Sequence, residues 1–382
     1  MKTRNLFLTV LTILAITLFV SCENSLPDPE EKDFGILPSK FKVDIPSSLS
    51  NNLKSATLKS TEADTVNGNI IYWYLNAYIA VGEGAADIVE AIMWSIRVHH
   101  IEDVITLTYT SHEDGRVKNL EVTADAEFEG RQWEYQMNIT DAESEGNTDG
   151  GMAMQVFWSK YPVEGIAIIK PYNLNRTKNE NAPEAIGKIV YSEKATEEYD
   201  AQMTVEMAGL PVERTFEVES MKMFVGKKGD LIDVTGNSNH PMGRFNKYDE
   251  KAGYDWAFVA SGNDKSNVAV AEVGLPRNTE NITGRNEILV DNSIKSVLTR
   301  EMTNFVVAAY AESGITLIPG EIAALISPYL KNADAPGYFN SNGFVKGGTA
   351  PDEKYSVLEE RIQQLTPFNP AVISTMTIEF KN

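Results

Sequence analysis

The sequence predicts an α+β protein in which an antiparallel β-meander of about ten strands follows an N-terminal helical segment. A C-terminal helical cap and a final strand complete the predicted fold. Residues 70–101 repeat apolar residues at three- and four-residue spacing, residues 104–273 alternate apolar and polar residues, and helical spacing returns after Asn292. Because the strand-like runs follow one another without helices between them, we expect antiparallel pairing. The sheet would form a barrel, a half-barrel or a sandwich.

The first residues have the features of an export signal. Lys2 and Arg4 precede an apolar run from Leu6 to Val20, which is shorter than the about 20 residues that span a bilayer. A basic start, a short apolar run and a small residue, here Ser21, are typical of a secretory signal peptide. The stretch LFVSC that ends at Cys22 resembles the lipobox of bacterial lipoproteins, with Phe in the place where that box usually has Leu.

That resemblance implies how the chain is processed and where it resides. In lipoproteins of this kind, signal peptidase II cuts before the cysteine, which then carries several acyl groups such as palmitate. The resemblance therefore implies that residues 1–21 are removed and that acylated Cys22 holds the protein in a membrane. A Bacteroidota-like lipoprotein would be anchored in the outer membrane, on its periplasmic face or at the cell surface. A catalytic role for this thiol is disfavoured because the adjacent Glu23 would raise its pKa.

Residues 22–69 are expected to form a tether between the anchor and the folded part. Prolines and a Ser-, Thr- and Asn-rich stretch interrupt regular structure there. Such a coil spans on the order of 35–40 Å. The short apolar island Phe41–Ile45 is an alternative edge strand, and Asp64-Thr65-Val66 resembles a short glycosylation signal of Bacteroidota-like lipoproteins.

Composition excludes several classes of partner. The chain has 34 Lys and Arg against 54 Asp and Glu, a formal net charge of −20. An acidic chain lacks the basic surface that sequence-independent nucleic-acid binding or adhesion to anionic lipids requires. With one cysteine the chain forms no intramolecular disulfide, so its stability must come from a hydrophobic core.

The predicted elements form two parts. Residues 70–275 comprise a helix plus an antiparallel sheet, and residues 276–382 comprise a helical segment with a closing strand, either as a separate part or as one domain with the preceding residues. Gly82-Glu83-Gly84 is expected to divide or kink the first helix. The phase of alternation slips between Val218 and Met221, which predicts a β-bulge. The predicted strands are Leu120–Glu129, Trp133–Thr140, Met152–Ser159, Gly165–Tyr172, Ile186–Ser192, Tyr199–Met207, Thr215–Val225, Leu231–Thr235, Tyr254–Ala260 and Asn267–Val273.

The C-terminal helices are predicted after a cap at Asn292 or Ser293, at Gly320–Leu330 and at Tyr355–Leu365. Finally, Met376, Ile378 and Phe380 alternate with polar residues, which predicts a closing strand.

Three groups of residues have side chains that could form a chemical site. The loop Asp141–Gly151 places oxygen-bearing side chains at alternate positions around Gly146, as calcium loops do, but its twelfth position is Met152; a solvated hairpin loop is favoured. His99, His100 and His112 lie near several acids, yet their spacing matches no zinc motif, and we expect no metal or other cofactor. In GNSNHP, Ser238 and His240 are two residues apart. The Gly, Asn, Ser and Pro content of this stretch is typical of a turn, which explains their proximity without a catalytic role.

Aromatic residues on the predicted strands are the remaining candidates for binding. They either fill the core or line a concave pocket for a hydrophobic or glycan ligand. The candidates are Trp133, Tyr135, Trp158, Tyr254 and Trp256.

With no catalytic residue assigned, the leading hypothesis is a lipid-anchored envelope lipoprotein with a non-enzymatic binding or envelope-assembly role. One alternative is a surface glycan hydrolase that uses paired carboxylates, and another is an adhesin or filament subunit. The sequence does not predict an oligomeric state.

Overall fold

The computed structural model describes residues 66–98, 105–249 and 251–381. These residues divide into two compact units. The first comprises residues 81–211 with 377–381, and the second comprises residues 66–80 with 212–376. This division differs from the predicted one after residue 275. The anchor at Cys22, the predicted tether up to residue 65, and His99 and His100 lie outside the described residues.

The predicted fold class is confirmed. Thirteen strands follow one another in chain order with antiparallel pairing, and the described strands do not close into a ring. The first unit contains β1 Ile105–Thr110, β2 Val117–Phe128, β3 Arg131–Asp141, β4 Met152–Ser159, β5 Glu164–Ile169, β6 Ile186–Ser192 and β7 Ala201–Ala208. The second contains β8 Ser220–Lys228, β9 Leu231–His240, β10 Tyr254–Asn263, β11 Val268–Gly274, β12 Gly337–Asn340 and β13 Gly343–Gly347.

A helix precedes the strands and others follow β11, as predicted, but a short helix also lies between β5 and β6, and β12 and β13 come after two of the C-terminal helices. The α-helices are α1 Gly68–Val98, α2 Pro171–Leu174, α3 Ile294–Ala311, α4 Pro319–Ile326, α5 Ser356–Ile362 and α6 Pro370–Ser374. The Ser293 hydroxyl accepts from the Ser296 amide at the start of α3, which confirms the predicted cap. Short 3₁₀ segments lie at Ala142–Ser144, Ser327–Leu330 and Glu353–Tyr355, and Glu287–Asp291 is a π-helical turn. No helix among the described residues is long and apolar enough to cross a membrane.

Two predicted interruptions are corrected. Helix α1 continues through Gly82 and Gly84 without a break; the buried residues around them, Val81 and Ala85, indicate that tertiary packing outweighs glycine's low helix propensity. No β-bulge forms between Val218 and Met221, because β8 begins only at Ser220. Phe216 lies before β8 and has a φ of 63°, which interrupts the extended backbone there.

Strand β9 is longer than predicted, and this places a polar cluster in the second unit. Residues 236–240, which the sequence predicted as a turn, pair with β10, and residues 236–239 also pair with β8 on the other side. Gly236 is required there because a Cβ would lie 2.4 Å from the Phe258 ring on the neighbouring strand. Pairing on both sides overrides the turn-forming composition of this stretch.

The end of the described chain also differs from prediction. Residues 376–381 lie outside any strand, although their side chains are alternately half-buried and exposed as the sequence predicted. Ile378 and Phe380 pack on the apolar cluster of the first unit, which contains Ala126, Trp133, Phe157, Ile166 and Ile168. The hairpin of β12 and β13 was not predicted. Its Tyr338 belongs to the main core of the second unit, with residues of β10, β11 and α5.

Candidate functional site

The end of β9 carries a hydrogen-bonded polar cluster inside the second unit. Ser238 and His240 are on one face of β9, directly opposite Trp256 and Tyr254 of β10. The His240 Nε2 atom lies 2.8 Å from the Tyr78 hydroxyl and 2.9 Å from the Ser238 hydroxyl. All of these side chains are buried. The cluster therefore joins α1 to the sheet through polar contacts.

The hydrogen bonds of His240 define its protonation. Its Nδ1 lies 2.9 Å from the Phe216 carbonyl oxygen, which can only accept, so Nδ1 carries the proton. Nε2 is then an acceptor with a single lone pair, which the Tyr78 and Ser238 hydroxyls share. Burial lowers the pKa of His240 to about 4. This tautomer is the one a serine hydrolase needs, but the serine and the histidine are both buried and two residues apart on one strand.

A second cluster gathers two carboxylates near the start of β10. One nitrogen of the Arg277 guanidinium lies 2.9 Å from Oδ1 of Asp249 and 3.8 Å from Oε1 of Glu301. The Tyr254 hydroxyl donates to Asp249, and Arg300 donates to Glu301 at 3.0 Å. No pattern in the sequence predicts this pair, because the two acids are far apart in the chain and become neighbours only through α3.

The carboxylate pair satisfies one requirement of glycoside hydrolysis, which is that two acids lie within several ångströms. However, an arginine contacts both acids, and both are buried. Arg277, Arg300 and the Tyr254 hydroxyl already occupy oxygens of these carboxylates, which leaves them little access to a substrate. The arrangement therefore suits a structural ion-pair network better than acid catalysis.

The candidate aromatic residues are divided between the two units. In the first unit, Tyr135 stacks on Trp158 with ring centroids 5.4 Å apart, and the Lys160 ammonium lies 5.7 Å from the Tyr135 ring centroid. Trp158 is buried and Tyr135 is partly exposed. Trp133 is buried in the apolar cluster, with the Arg131 guanidinium over its ring.

Tyr254 and Trp256 lie in the second unit and are also buried. Trp256 contacts Tyr74 and Tyr78 of α1 edge-on, and Tyr254 contacts Phe245. Of the five candidates, Tyr135 is therefore the one whose ring reaches solvent. The other four occupy core positions.

The acidic loop after β3 forms a buried ion-pair network. Asp141 is fully buried; it accepts from Arg116 Nε at 2.8 Å, from Arg176 Nε at 3.1 Å and from the Ser144 hydroxyl at 2.9 Å. Burial alone would raise the pKa of Asp141, but the hydrogen bonds from Arg116 and Ser144, with the charge of the buried Lys118, lower it below its ordinary value.

Other members of this network hold the rest of the loop. Asp149 accepts from Lys170 at 2.7 Å and from the Asn173 amide at 3.0 Å. Lys118 donates to the Asn173 carbonyl oxygen at 2.7 Å. The loop is the hairpin connection between β3 and β4 that the sequence favoured, and most of its residues are exposed. Its key carboxylates are bound by cations of the same unit.

Metal-binding geometry is not found in the described part of the chain. No group of three or more His, Cys, Asp or Glu side chains is placed there to hold a metal ion. His112, the one described member of the predicted histidine group, is exposed in the turn between β1 and β2.

Comparisons with known protein families, with curated proteins and with solved structures found no match.

Proposed function

We propose that the chain is an exported, lipid-anchored envelope protein with a non-enzymatic role in binding or envelope assembly. The observation that carries the proposal is Cys22, placed directly after a basic and apolar export signal. Several acyl chains on this one residue would give the stable membrane anchoring that a single chain does not. The anchor would lie in the outer membrane, on its periplasmic face or at the cell surface.

The two polar clusters of the second unit support a non-enzymatic role. The serine and histidine of β9 are buried among aromatic rings, and Arg277 occupies the position between the two carboxylates. These groups stabilise the fold, and their partners leave them little freedom to act on a substrate. A ligand would instead meet the sheet at exposed aromatic surface, for which Tyr135 beside Lys160 is the candidate. An aromatic ring beside an ammonium group suits a hydrophobic or glycan ligand.

The anchor is tested by substituting Cys22→Ser and comparing membrane and soluble fractions after expression in a Gram-negative host. We expect the variant to lose acylation, measured with an alkyne-labelled palmitate analogue, and to move to the soluble fraction. Ser25→Ala is a matched control three residues away, and it should remain labelled and membrane-bound. Membrane retention and labelling of the Cys22→Ser variant would contradict the proposal.

The second candidate function is a surface glycan hydrolase, which the close approach of Asp249 and Glu301 to Arg277 favours. If the pair were catalytic, Asp249→Asn or Glu301→Gln would reduce the release of reducing sugar from a glycan substrate by about 10²-fold or more. Glu312→Gln, an exposed change just after α3, is the control. Release of sugar by the parent chain that both variants abolish would establish the hydrolase instead of the binding role.

A further inference from the structure

The closing segment, residues 377–381, lies on the sheet of the first unit without joining its backbone ladder. Ile378 and Phe380 are half-buried against the apolar cluster of that unit, while Thr377 and Glu379 point to solvent. The cluster is centred on Phe157, which stacks on Phe128 at 4.4 Å. An extended peptide with apolar side chains at alternate positions therefore fits this surface.

A buried side chain replaces the strand partner that the segment lacks. The Gln155 side chain, in a residue that is 1% exposed, accepts from the Lys381 amide at 2.7 Å and donates to the Lys381 carbonyl oxygen at 3.5 Å. Its amide nitrogen also donates to Asn138 at 3.1 Å. Gln155 thus contacts both backbone groups of one residue, as a neighbouring strand would. If the peptide backbone left, the buried Gln155 carbonyl oxygen would lose this donor, which is unfavourable.

The ammonium group of Lys381 also contacts this surface of the first unit. It lies 5.7 Å from the Phe157 ring centroid and 3.4 Å from Oε1 of Gln136. The surface therefore recognises four features of an extended chain, namely two apolar side chains, one backbone amide with its carbonyl, and one cation. We call the surface formed by Gln136, Gln155, Phe157 and the apolar cluster around them the peptide groove.

We propose that the peptide groove binds the closing segment of a second copy of this chain, so that copies associate by exchanging residues 377–381. The same side chains and backbone groups satisfy the groove whichever copy supplies the segment, which is the condition for exchange between identical chains. The segment is bound by side-chain contacts, so it can leave without breaking the sheet.

This inference names the partner for the assembly role proposed above and rests on that role for its biological setting. Lipid anchoring would confine copies to one surface and so raise their effective concentration, which favours exchange. The groove itself does not depend on the anchor. Tests on the Cys22→Ser chain therefore examine the groove separately from the anchor. Failure of the anchoring proposal would appear in the fractionation experiment, whereas failure of the groove would appear as a loss of peptide binding.

The first experiment uses a fluorescent peptide with the sequence of residues 376–382 and the Cys22→Ser chain, either complete or lacking 377–382. We expect saturable binding to the shortened chain, at least about tenfold weaker binding to the complete chain whose groove is filled, and none for a peptide carrying Ile378→Asp and Phe380→Asp. Failure of a folded shortened chain to bind, or equal binding of both peptides, would overturn the groove. If shortening unfolds the chain, the complete Phe380→Asp variant provides the open groove.

The second experiment tests the partner by sedimentation velocity over a wide range of protein concentration. We expect the complete Cys22→Ser chain to form a larger species as concentration rises, and the Phe380→Asp variant to remain monomeric. Glu379→Gln, an exposed change within the same segment, is the matched control and should associate like its parent. A complete chain that binds the peptide but stays monomeric throughout would overturn the second copy as partner and indicate an extended segment of another protein.

Discussion

The Tyr78 hydroxyl donates to Nε2 of His240 across a distance of 2.8 Å, and both residues are buried in the second unit. The Ser238 hydroxyl reaches the same nitrogen from the adjacent position on that face of β9. A neutral imidazole is the form that can accept at Nε2 while donating from Nδ1 to the Phe216 carbonyl oxygen. The contact between α1 and the sheet therefore depends on His240 remaining uncharged.

Acid should destabilise the protein through His240. Burial lowers the pKa of this group from 6.5 to about 4, so between these values the unfolded chain binds a proton that the native chain does not. The free energy of unfolding should thus be unaffected by this group above pH 6.5 and fall by about 3 kcal/mol as the pH decreases to about 4. Urea unfolding of the parent and of His240→Asn at several pH values measures this as the difference between their pH profiles.

The control is His112→Asn, since His112 is exposed in the first turn of the sheet. Its pH profile should follow that of the parent. Parallel profiles for the parent and His240→Asn between pH 6.5 and 4 would show that the histidine titrates equally in the native and unfolded chains, contrary to its burial.

Much of the fold could be predicted because the pattern that indicates a strand or helix lies within the residues of that element. Alternation along Met152–Ser159 and Ile186–Ser192 gave those two strands with the bounds they have in the structure. Ser293 and the apolar spacing after it likewise predicted the start of α3. By contrast, Gly236–His240 has turn composition, and it becomes a strand because two neighbouring strands pair with it. That pairing is long-range and leaves no local pattern.

The polar clusters could not be predicted for the same physical reason. Asp249 and Glu301 meet at Arg277 only after α3 brings Glu301 to the start of β10, and Asp141 meets Arg176 across 35 residues of sequence. Spacing along the chain identified the loop that contains Asp141 as rich in oxygen ligands. Only the folded structure shows that Arg and Lys side chains already bind these oxygens.

Removing the charge of Asp141 should strongly destabilise the first unit. Asp141→Asn leaves Arg116, Arg176 and the buried Lys118 without their shared carboxylate, and breaking a buried ion pair costs about 3–5 kcal/mol. Because the pKa of Asp141 is lowered in the native state, this stability is present above pH 3.8 and is lost as the pH falls below it. Urea unfolding at pH 7 and at pH 3 measures both effects.

Glu143→Gln is the matched control for this change. Glu143 contacts the same Arg116 at 3.2 Å, but about half of its side chain is exposed, so the substitution should cost less than about 1 kcal/mol. Equal destabilisation by the two variants would contradict the assignment of Asp141 as the centre of the network.

Calcium should not stabilise the loop after β3. Asp141 and Asp149 are bound by Arg116 and Lys170, so a cation would have to displace buried ion pairs to reach their oxygens. We expect the thermal unfolding midpoint to be the same with millimolar calcium and with a chelator. A rise in the midpoint that saturates with calcium, and that Asp149→Asn abolishes, would contradict this view of the loop.

Asp255 provides the converse case, in which removing a carboxylate should stabilise the protein. This residue is fully buried on β10, and neither of its carboxyl oxygens makes a hydrogen bond of ordinary geometry within the described part of the chain. Burial raises the pKa of Asp255 well above its usual range, and the side chain of Asn237 offsets this only in part. The native chain therefore keeps Asp255 protonated at pH values where the unfolded chain is ionised.

The sign of the effect follows from that difference. Above pH 3.8 the unfolded chain releases a proton that the native chain retains, so the native state is increasingly penalised as the pH rises. Asp255→Asn removes the titrating group, and its amide can donate to Oδ1 of Asn237, which is itself buried without a donor. We expect the variant to be about 1–3 kcal/mol more stable than the parent at pH 7.5, with a smaller gain at pH 4.

Asp264→Asn is the matched control, because Asp264 is exposed in the turn that follows β10. Its unfolding free energy should equal that of the parent at both pH values within about 0.5 kcal/mol. If Asp255→Asn were instead destabilising at pH 7.5, the carboxyl group would have to be ionised and stabilised by its surroundings.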